Sequence, residues 1–242
     1  MKKYLIAILL ISFGTFAQKN SLKINLSSLL IKNYSISYER ALSKHTTILF
    51  NGRYMPNGLI PFAEQLKNTS NDPGPDFTKF NLGNTALTME FRYYLGKKPQ
   101  NGFYIAPYVR KTNYDFSVPL TLDIEDPTTK ISTTNNAIFT GNLSALSGGL
   151  LFGIQKHLSK VFVLDFWIVG AHAGLTKGNV IANLNPSINT ILQAELAKNL
   201  EQAKNDSPIP FDYAISQDKV VFTANSIAPG IRGLGFNLGI KF

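Results

Sequence analysis

The sequence predicts an all-β protein, an eight-stranded antiparallel up-and-down transmembrane β-barrel, on three observations. The last strand, IRGLGFNLGIKF over residues 231–242, alternates apolar and polar residues one by one, which is the period of a β-strand. Short and long connections alternate between the predicted strands, as they do in barrels that cross a membrane. The composition is 44% hydrophobic and only 16% charged, whereas soluble domains carry about 25% charged residues.

The start of the chain has the order of a secretory signal peptide. Two lysines are followed by an apolar run over residues 4–16, and Thr15 and Ala17 are small residues at −3 and −1 of a cleavage point. The run is shorter than the roughly 20 apolar residues that a membrane-spanning helix needs. We therefore expect residues 1–17 to be a cleaved signal peptide and residues 18–242 to form the barrel domain.

Eight strands are predicted along the mature chain. They cover residues 22–30, 34–42, 46–55, 85–96, 103–116, 143–156, 161–176 and 231–242. The links at 43–45, 97–102 and 157–160 are short, while the segments 56–84, 117–142 and 177–230 are long and polar. Short periplasmic turns and long outer loops, with an even number of strands, are the rule in transmembrane barrels.

Each predicted strand carries its apolar residues on one face. In the fourth strand, Leu87, Met89 and Phe91 alternate with Thr88 and Glu90. Periodicity alone does not separate inside from outside, and a soluble lipocalin-like carrier would turn its apolar faces inward. The leader, the terminal strand and the connection lengths favour the membrane arrangement, in which the polar faces line the lumen.

The charged residues on the polar faces form a candidate lumen charge network. Its members are Glu39, Arg53, Glu90, Arg92, Arg110 and Asp165. An eight-stranded barrel is just wide enough inside for side chains to fill it, and an unpaired buried charge costs several kcal/mol. We expect these charges to pair as a structural plug, and a narrow ion path stays open as the alternative.

Catalytic chemistry is not indicated by any motif. The chain has three dispersed histidines and no cysteine, which argues against a metal centre and excludes thiol chemistry. His172 lies near the outer end of the seventh strand, where a lipid-A-modifying barrel enzyme would need a histidine beside a serine and an acid. We predict no catalytic residue, no metal and no cofactor.

The longest predicted loop contains a helix over residues 187–204. Ile188, Leu192, Leu196 and Leu200 recur at helical spacing, and a proline at 186 gives a start signal. An isolated helix of this length needs packing to persist. We expect it to pack on the loops or the barrel mouth, and a lid or a partner-binding element is the other possibility.

Three stretches give the chain a family resemblance. Residues 23–54, which include Ser37-Tyr38-Glu39-Arg40, and FYIAPYVR at 103–110 look like small OmpA-like outer-membrane β-barrels of uncharacterised function that are common in Bacteroidetes. The terminal strand resembles the signal that the barrel assembly machinery recognises, with apolar residues at alternate positions: Phe236, Leu238, Ile240 and Phe242. The resemblance implies an architecture and an address, and no reaction.

These observations lead to an expected function in the cell envelope. We expect an outer-membrane protein with a side-chain-filled lumen that has a structural role or binds a ligand through its surface loops. Its partners would be outer-membrane lipid and lipopolysaccharide, since the net charge of +9 favours acidic partners, and nucleic acid is not expected. A low-conductance pore, a soluble periplasmic carrier and a lipid-A-modifying enzyme are the alternatives.

Overall fold

The computed structural model describes residues 19–64, 76–126, 129–207 and 210–242, so the predicted signal peptide lies outside the described residues. Within them, ten antiparallel strands form one sheet. The strands are β1 (Asn20–Asn25), β2 (Tyr34–Ala41), β3 (Thr46–Leu59), β4 (Asn81–Tyr94), β5 (Gly102–Glu125), β6 (Ser132–His157), β7 (Phe162–Asn185), β8 (Phe211–Ile215), β9 (Lys219–Arg232) and β10 (Gly235–Lys241). Helix α1 spans Leu26–Leu29 and helix α2 spans Thr190–Asp206.

Eight of the strands close into a ring. Strands β1 to β7 pair with their neighbours in chain order, and β10 lies between β1 and β7. Leu22 of β1 pairs with Ile240 of β10, and Phe236 of β10 pairs with Phe166 of β7. The predicted all-β class, antiparallel order and short links are confirmed. We call the end with these links the lower end of the ring.

The sheet continues beyond the upper end of the ring. Strands β5, β6 and β7 are 24, 26 and 24 residues long, and the upper half of β7 pairs with β9, which pairs with β8. The prediction that 117–142 and 177–230 are outer loops was therefore wrong for the residues that lie in these strands, whereas the helix predicted within the second segment is present. In the first segment the strand period continues, because Val118, Leu120, Leu122 and Ile124 recur at every second position, and β5 pairs with β6 without interruption up to Glu125 and Ser132.

Helix α2 packs against one face of this projecting sheet. Its buried side chains, Leu192 and Leu196, contact Ile124, Ala182 and Val220 from three different strands. The helix was predicted over 187–204 and is observed over Thr190–Asp206. It packs on the sheet extension, and it does not line the interior of the ring.

The first predicted strand, 22–30, was too long, because β1 ends at Asn25. The Asn25 side chain accepts a hydrogen bond from the Ser28 backbone N–H at 2.8 Å. An asparagine in this position satisfies a free backbone donor and starts a helix. Helix α1 therefore replaces the second half of the predicted strand.

A β-bulge in β7 reverses which residues face the interior of the ring. Gly153 of β6 pairs with Trp167, while the preceding Phe152 pairs with Val169, so Ile168 is the extra residue. Ile168 and Val169 are both exposed on the outside, at 38% and 47%. Odd-numbered residues of β7 face inward below the bulge, and even-numbered residues face inward above it.

Shortening a buried leucine of α2 tests how this helix is held. We expect Leu196→Ala to lower the free energy of local unfolding of α2 by about 2–3 kcal/mol, because it removes packing against the sheet. The control Ile191→Ala changes a side chain that is 48% exposed and should cost less than about 0.5 kcal/mol. Hydrogen exchange of the amides of 190–206 measures both values. Equal effects would mean that the apolar stripe does not hold the helix.

Candidate functional site

The ring is apolar outside and polar inside. On β4, Leu87 and Met89 point outward and are 69% and 49% exposed, whereas Glu90 and Arg92 point inward and are fully buried. The same alternation runs along the lower parts of the other strands of the ring. The interior is therefore the place where charged groups meet out of contact with solvent.

Asp165 of β7 lies at the centre of the buried charges. Its Oδ2 atom is 2.8 Å from the Lys23 Nζ atom and 2.8 Å from an Arg92 Nη1 atom. Its Oδ1 atom accepts a hydrogen bond of 2.8 Å from the Tyr104 hydroxyl. Three donors from β1, β4 and β5 thus converge on one carboxylate, which ties strands together across the ring.

Glu39 of β2 is the second buried carboxylate. Its Oε2 atom is 2.5 Å from the Lys23 Nζ atom. Its Oε1 atom accepts hydrogen bonds from the Tyr94 hydroxyl at 2.7 Å and from the Thr47 hydroxyl at 2.5 Å. Lys23 therefore bridges Glu39 and Asp165, and the carboxylate oxygens of Glu39 are occupied.

Glu90 of β4 pairs with two arginines. One of its oxygens, Oε2, is 2.8 Å from Arg92, and the other, Oε1, is 2.5 Å from Arg232. The Arg232 guanidinium also lies over the Trp167 ring at 3.8 Å from its centroid, and the Arg92 guanidinium lies over the Tyr104 ring at 4.3 Å. Stacking of this kind adds a cation–π attraction to the ion pairs.

The network is balanced in charge. Three carboxylates face three cations: Glu39, Glu90 and Asp165 against Lys23, Arg92 and Arg232. Charges removed from water are tolerated when partners and hydrogen bonds replace the lost solvent. The set therefore fills the lower half of the ring interior without leaving a net buried charge.

The structure brings together four of the six predicted lumen residues. Glu39, Glu90, Arg92 and Asp165 belong to the network, whereas Arg53 and Arg110 line a cavity above it. That cavity has a volume of about 440 Å³ and lies in the upper half of the ring. Among the described residues the structure shows ion pairs for four of the six charges and none for Arg53 or Arg110, so the pairing of these two arginines stays a prediction.

Two members of the network were missed by the sequence reasoning. Lys23 alternates with Leu22 and Ile24, so its place on the polar face of β1 could have been found from the period of two. Arg232 could not, because counting back by twos from the last residue places it on the apolar face. The strand breaks after it, at Gly233 and Leu234, and the break reverses the faces.

The predicted assembly signal lies on the outside of the closing strand. Phe236 and Ile240 are 37% and 44% exposed, and Leu238 lies on the same face of β10. The Phe242 backbone N–H donates to the Asn20 carbonyl at 3.0 Å, which joins the two ends of the described chain. The structure therefore locates these four residues, and their recognition by an assembly machinery stays a prediction.

His172 lines the upper cavity on the interior face of β7. Its Nδ1 atom lies 2.9 Å from the Tyr108 hydroxyl, so its partner is a phenol rather than the serine and acid that acyl-transfer chemistry needs.

The described residues contain no group of three or more His, Asp or Glu side chains that could hold a metal ion. In the same part of the chain, no helix has both the length and the hydropathy that crossing a membrane requires.

Comparison with known proteins adds a family. A family model described as "Protein of unknown function (DUF3575)" matches residues 3–179. The chain belongs to this family. The match covers β1 to β6 and most of β7, and it includes Lys23 and the six predicted lumen residues, whereas Arg232 lies beyond it. No curated protein matches the chain.

Removing the central carboxylate tests whether the network holds the ring together. We expect Asp165→Asn to lower the free energy of unfolding by about 3–5 kcal/mol, because Lys23 and Arg92 then stay buried beside each other without it. The change is measured by urea unfolding followed through the fluorescence of Trp167, the one tryptophan of the chain.

A matched control removes a carboxylate from an exposed ion pair. Glu125 is 3.3 Å from Lys130, and the two side chains are 57% and 73% exposed. The Glu125→Gln variant should lose less than about 1 kcal/mol, as surface pairs do. The same loss in both variants would contradict a stabilising role for the buried network.

Proposed function

We propose that this protein is an outer-membrane β-barrel whose lumen is closed by the buried charge network, with a non-enzymatic role in the cell envelope. The observation that carries the proposal is the reversed distribution of side chains, apolar outside and charged inside. A ring of eight antiparallel strands has no open edge, so its backbone groups can be satisfied in a lipid environment.

The exposed apolar surface is the first support. Large apolar side chains that are at least 40% exposed occur on neighbouring strands around the ring: Ile24, Ile36, Phe50, Leu87, Met89, Phe91, Val109, Leu150, Phe152, Phe162 and Ile240. A soluble monomer rarely exposes contiguous apolar patches larger than a few hundred Å². Lipid acyl chains would cover this belt.

Exposed tyrosines at the upper and lower sides of the apolar belt are the second support. Tyr34 pairs with Tyr54 at the upper side of the belt, and both are 55% exposed. Tyr93 pairs with Thr46 at the lower side and is 49% exposed. The eight steps from Thr46 to Tyr54 span about 27 Å along the strand, or ~21 Å along the ring axis at a tilt of about 40°. Aromatic girdles flank an apolar band of about 25 Å in transmembrane barrels.

The projecting sheet and α2 would extend from the outer side of the membrane. The same proposal includes export by the signal peptide, contact with lipopolysaccharide, and recognition of the terminal strand by the assembly machinery. The short links at the lower end favour a periplasmic position for that end, as in OmpA-like barrels. A lipocalin-like carrier would need the apolar faces inside, and this is the opposite of their position in the ring.

Cell fractionation and a gel-mobility assay test the proposal. We expect the protein in the outer-membrane fraction, and we expect unheated protein to migrate differently from boiled protein because the closed ring persists in detergent. The variant Met89→Arg places a charge on the middle of the belt and should destabilise the inserted protein by about 2–4 kcal/mol, which urea unfolding in phospholipid vesicles measures.

The control for this variant is Ile181→Arg. Ile181 lies on the projecting part of β7 and is 40% exposed, so its replacement should leave the stability in vesicles nearly unchanged. Recovery of the unmodified protein in the soluble periplasm, or equal effects of the two arginines, would overturn the membrane assignment.

A low-conductance pore is the second candidate, and the cavity in the upper half of the ring favours it. Below this cavity the interior is filled by paired charges, and Gln100 closes the lower end with hydrogen bonds to the Lys19 and Glu39 carbonyls at 3.1 and 3.4 Å. We expect no steady single-channel conductance from the purified protein in planar bilayers. Regular conducting steps that the Asp165→Asn variant alters would establish the pore instead.

A further inference from the structure

The cavity above the charge network has the size and lining of a binding site. Its volume of about 440 Å³ falls within the range of small-molecule sites, about 300–1,000 Å³. Besides arginines, amide and hydroxyl side chains from several strands line it, among them Asn25, Asn33, Ser35, Asn51 and Ser147. Such groups donate and accept hydrogen bonds, as a polar ligand requires.

The cavity is strongly basic. Arg53, Arg110 and Arg232 all line it, and no aspartate or glutamate is among the described residues that do so. Arg232 is neutralised from below by Glu90. The titratable groups that interact with Arg53 and Arg110 are other arginines, the phenols of Tyr108 and Tyr114, and the imidazole of His172. In the described part of the chain, two guanidinium groups therefore face the cavity without a carboxylate.

Arg110 is buried to an unusual degree for such a group. It is 7% exposed, and a buried cation without a counter-charge costs several kcal/mol. The six other interior charges of the described residues are paired, so Arg110 stands apart in lacking a counter-charge there. An anion in the cavity would supply it.

The strand register positions the two arginines as a pair. Arg53 of β3 lies beside Ala86 of β4, and Arg110 of β5 lies beside Thr88 of β4. The intervening strand thus presents two small side chains, so the long arginines on either side can reach over them into the cavity. Guanidinium groups bind phosphate and carboxylate in a bidentate manner.

We propose that this cavity binds a small hydroxylated molecule through a phosphate or carboxylate group held by Arg53 and Arg110. The hydroxyl and amide side chains of the cavity bind the hydroxyl groups of the ligand. Both a soluble metabolite and the phosphorylated headgroup of a lipid carry this chemistry. The site is independent of the proposed membrane location, because it is formed inside the ring wherever the protein resides.

The chain contains its own reporter for this binding. Trp167, the one tryptophan of the sequence, lines the cavity and stacks under Arg232. We would titrate the folded protein in a neutral detergent with inorganic phosphate, glucose 6-phosphate and gluconate, and follow tryptophan fluorescence at constant ionic strength set with sodium chloride. A saturable change with at least one of these anions is the expected result, with glucose as the uncharged comparison.

Charge-removing variants locate the site. Arg110→Gln and Arg53→Gln should each weaken the binding at least tenfold, because each removes one half of the guanidinium pair. The matched control is Lys111→Gln, which removes a positive charge one residue away on the opposite, exposed face of β5 and should leave the affinity unchanged. Heat-dependent gel mobility shows whether each variant is folded, and Arg110→Lys replaces Arg110→Gln if the latter is not.

The outcomes separate the sources of the ligand and can overturn the proposal. Saturation by a soluble anion supports a metabolite site, while saturation only by a short-chain phosphatidic acid in mixed micelles assigns the site to a lipid headgroup. A fluorescence change that follows ionic strength alone, or that is equal in Arg110→Gln and the unmodified protein, would overturn the proposal. Neither result depends on where fractionation finds the protein.

Discussion

The interaction on which the ring depends is the convergence of Lys23, Arg92 and Tyr104 on the Asp165 carboxylate. These residues come from β1, β4, β5 and β7, so the contacts join strands that are not neighbours in the sheet. A shift by one residue in any of these strands would turn its charged or hydroxyl group to the apolar outside. The network therefore disfavours shifted strand registers of the closed ring as well as filling its interior.

Two breaks in strand periodicity occur at one level of the ring and supply the sixth charge of the network. The bulge at Ile168 lies in β7, and the break at Gly233 and Leu234 separates β9 from β10. Gly170 pairs with Arg232 above the two breaks, and Trp167 pairs with Gly235 below them. The inward face therefore changes at the same level in β7 and between β9 and β10. Gly235 has no side chain where the Trp167 ring approaches, and a Cβ atom there would clash with the indole. The break thus turns Arg232 inward, where it stacks on Trp167 and neutralises Glu90.

The parts of the fold that could be predicted from sequence are those in which one face is buried and the period of two is unbroken. Glu39, Glu90, Arg92 and Asp165 were assigned to one interior for this reason. The period fails as a guide where it is interrupted, as at Arg232. The upper half of β5 keeps the period, because Val118, Leu120, Leu122 and Ile124 recur at every second position, so this extension of the strand could have been predicted from the sequence. The sequence predicts that the interior charges pair, but it does not predict which partners meet across the ring, because alternation gives the face on which a residue lies and not its height along the ring axis.

The interior arginines fall into two groups that differ in what surrounds them. Arg92 and Arg232 contact Glu90 below the level of the strand break, whereas Arg53 and Arg110 lie above it without a carboxylate among their described neighbours. A purely structural plug would gain from pairing every charge that it buries, since each unpaired cation opposes folding. The lower half of the ring meets this condition, and the upper half departs from it at the place where the interior is hollow. Among the described residues, the arginines without a carboxylate and the hollow part of the interior thus coincide, which is an arrangement that a bound anion would complete.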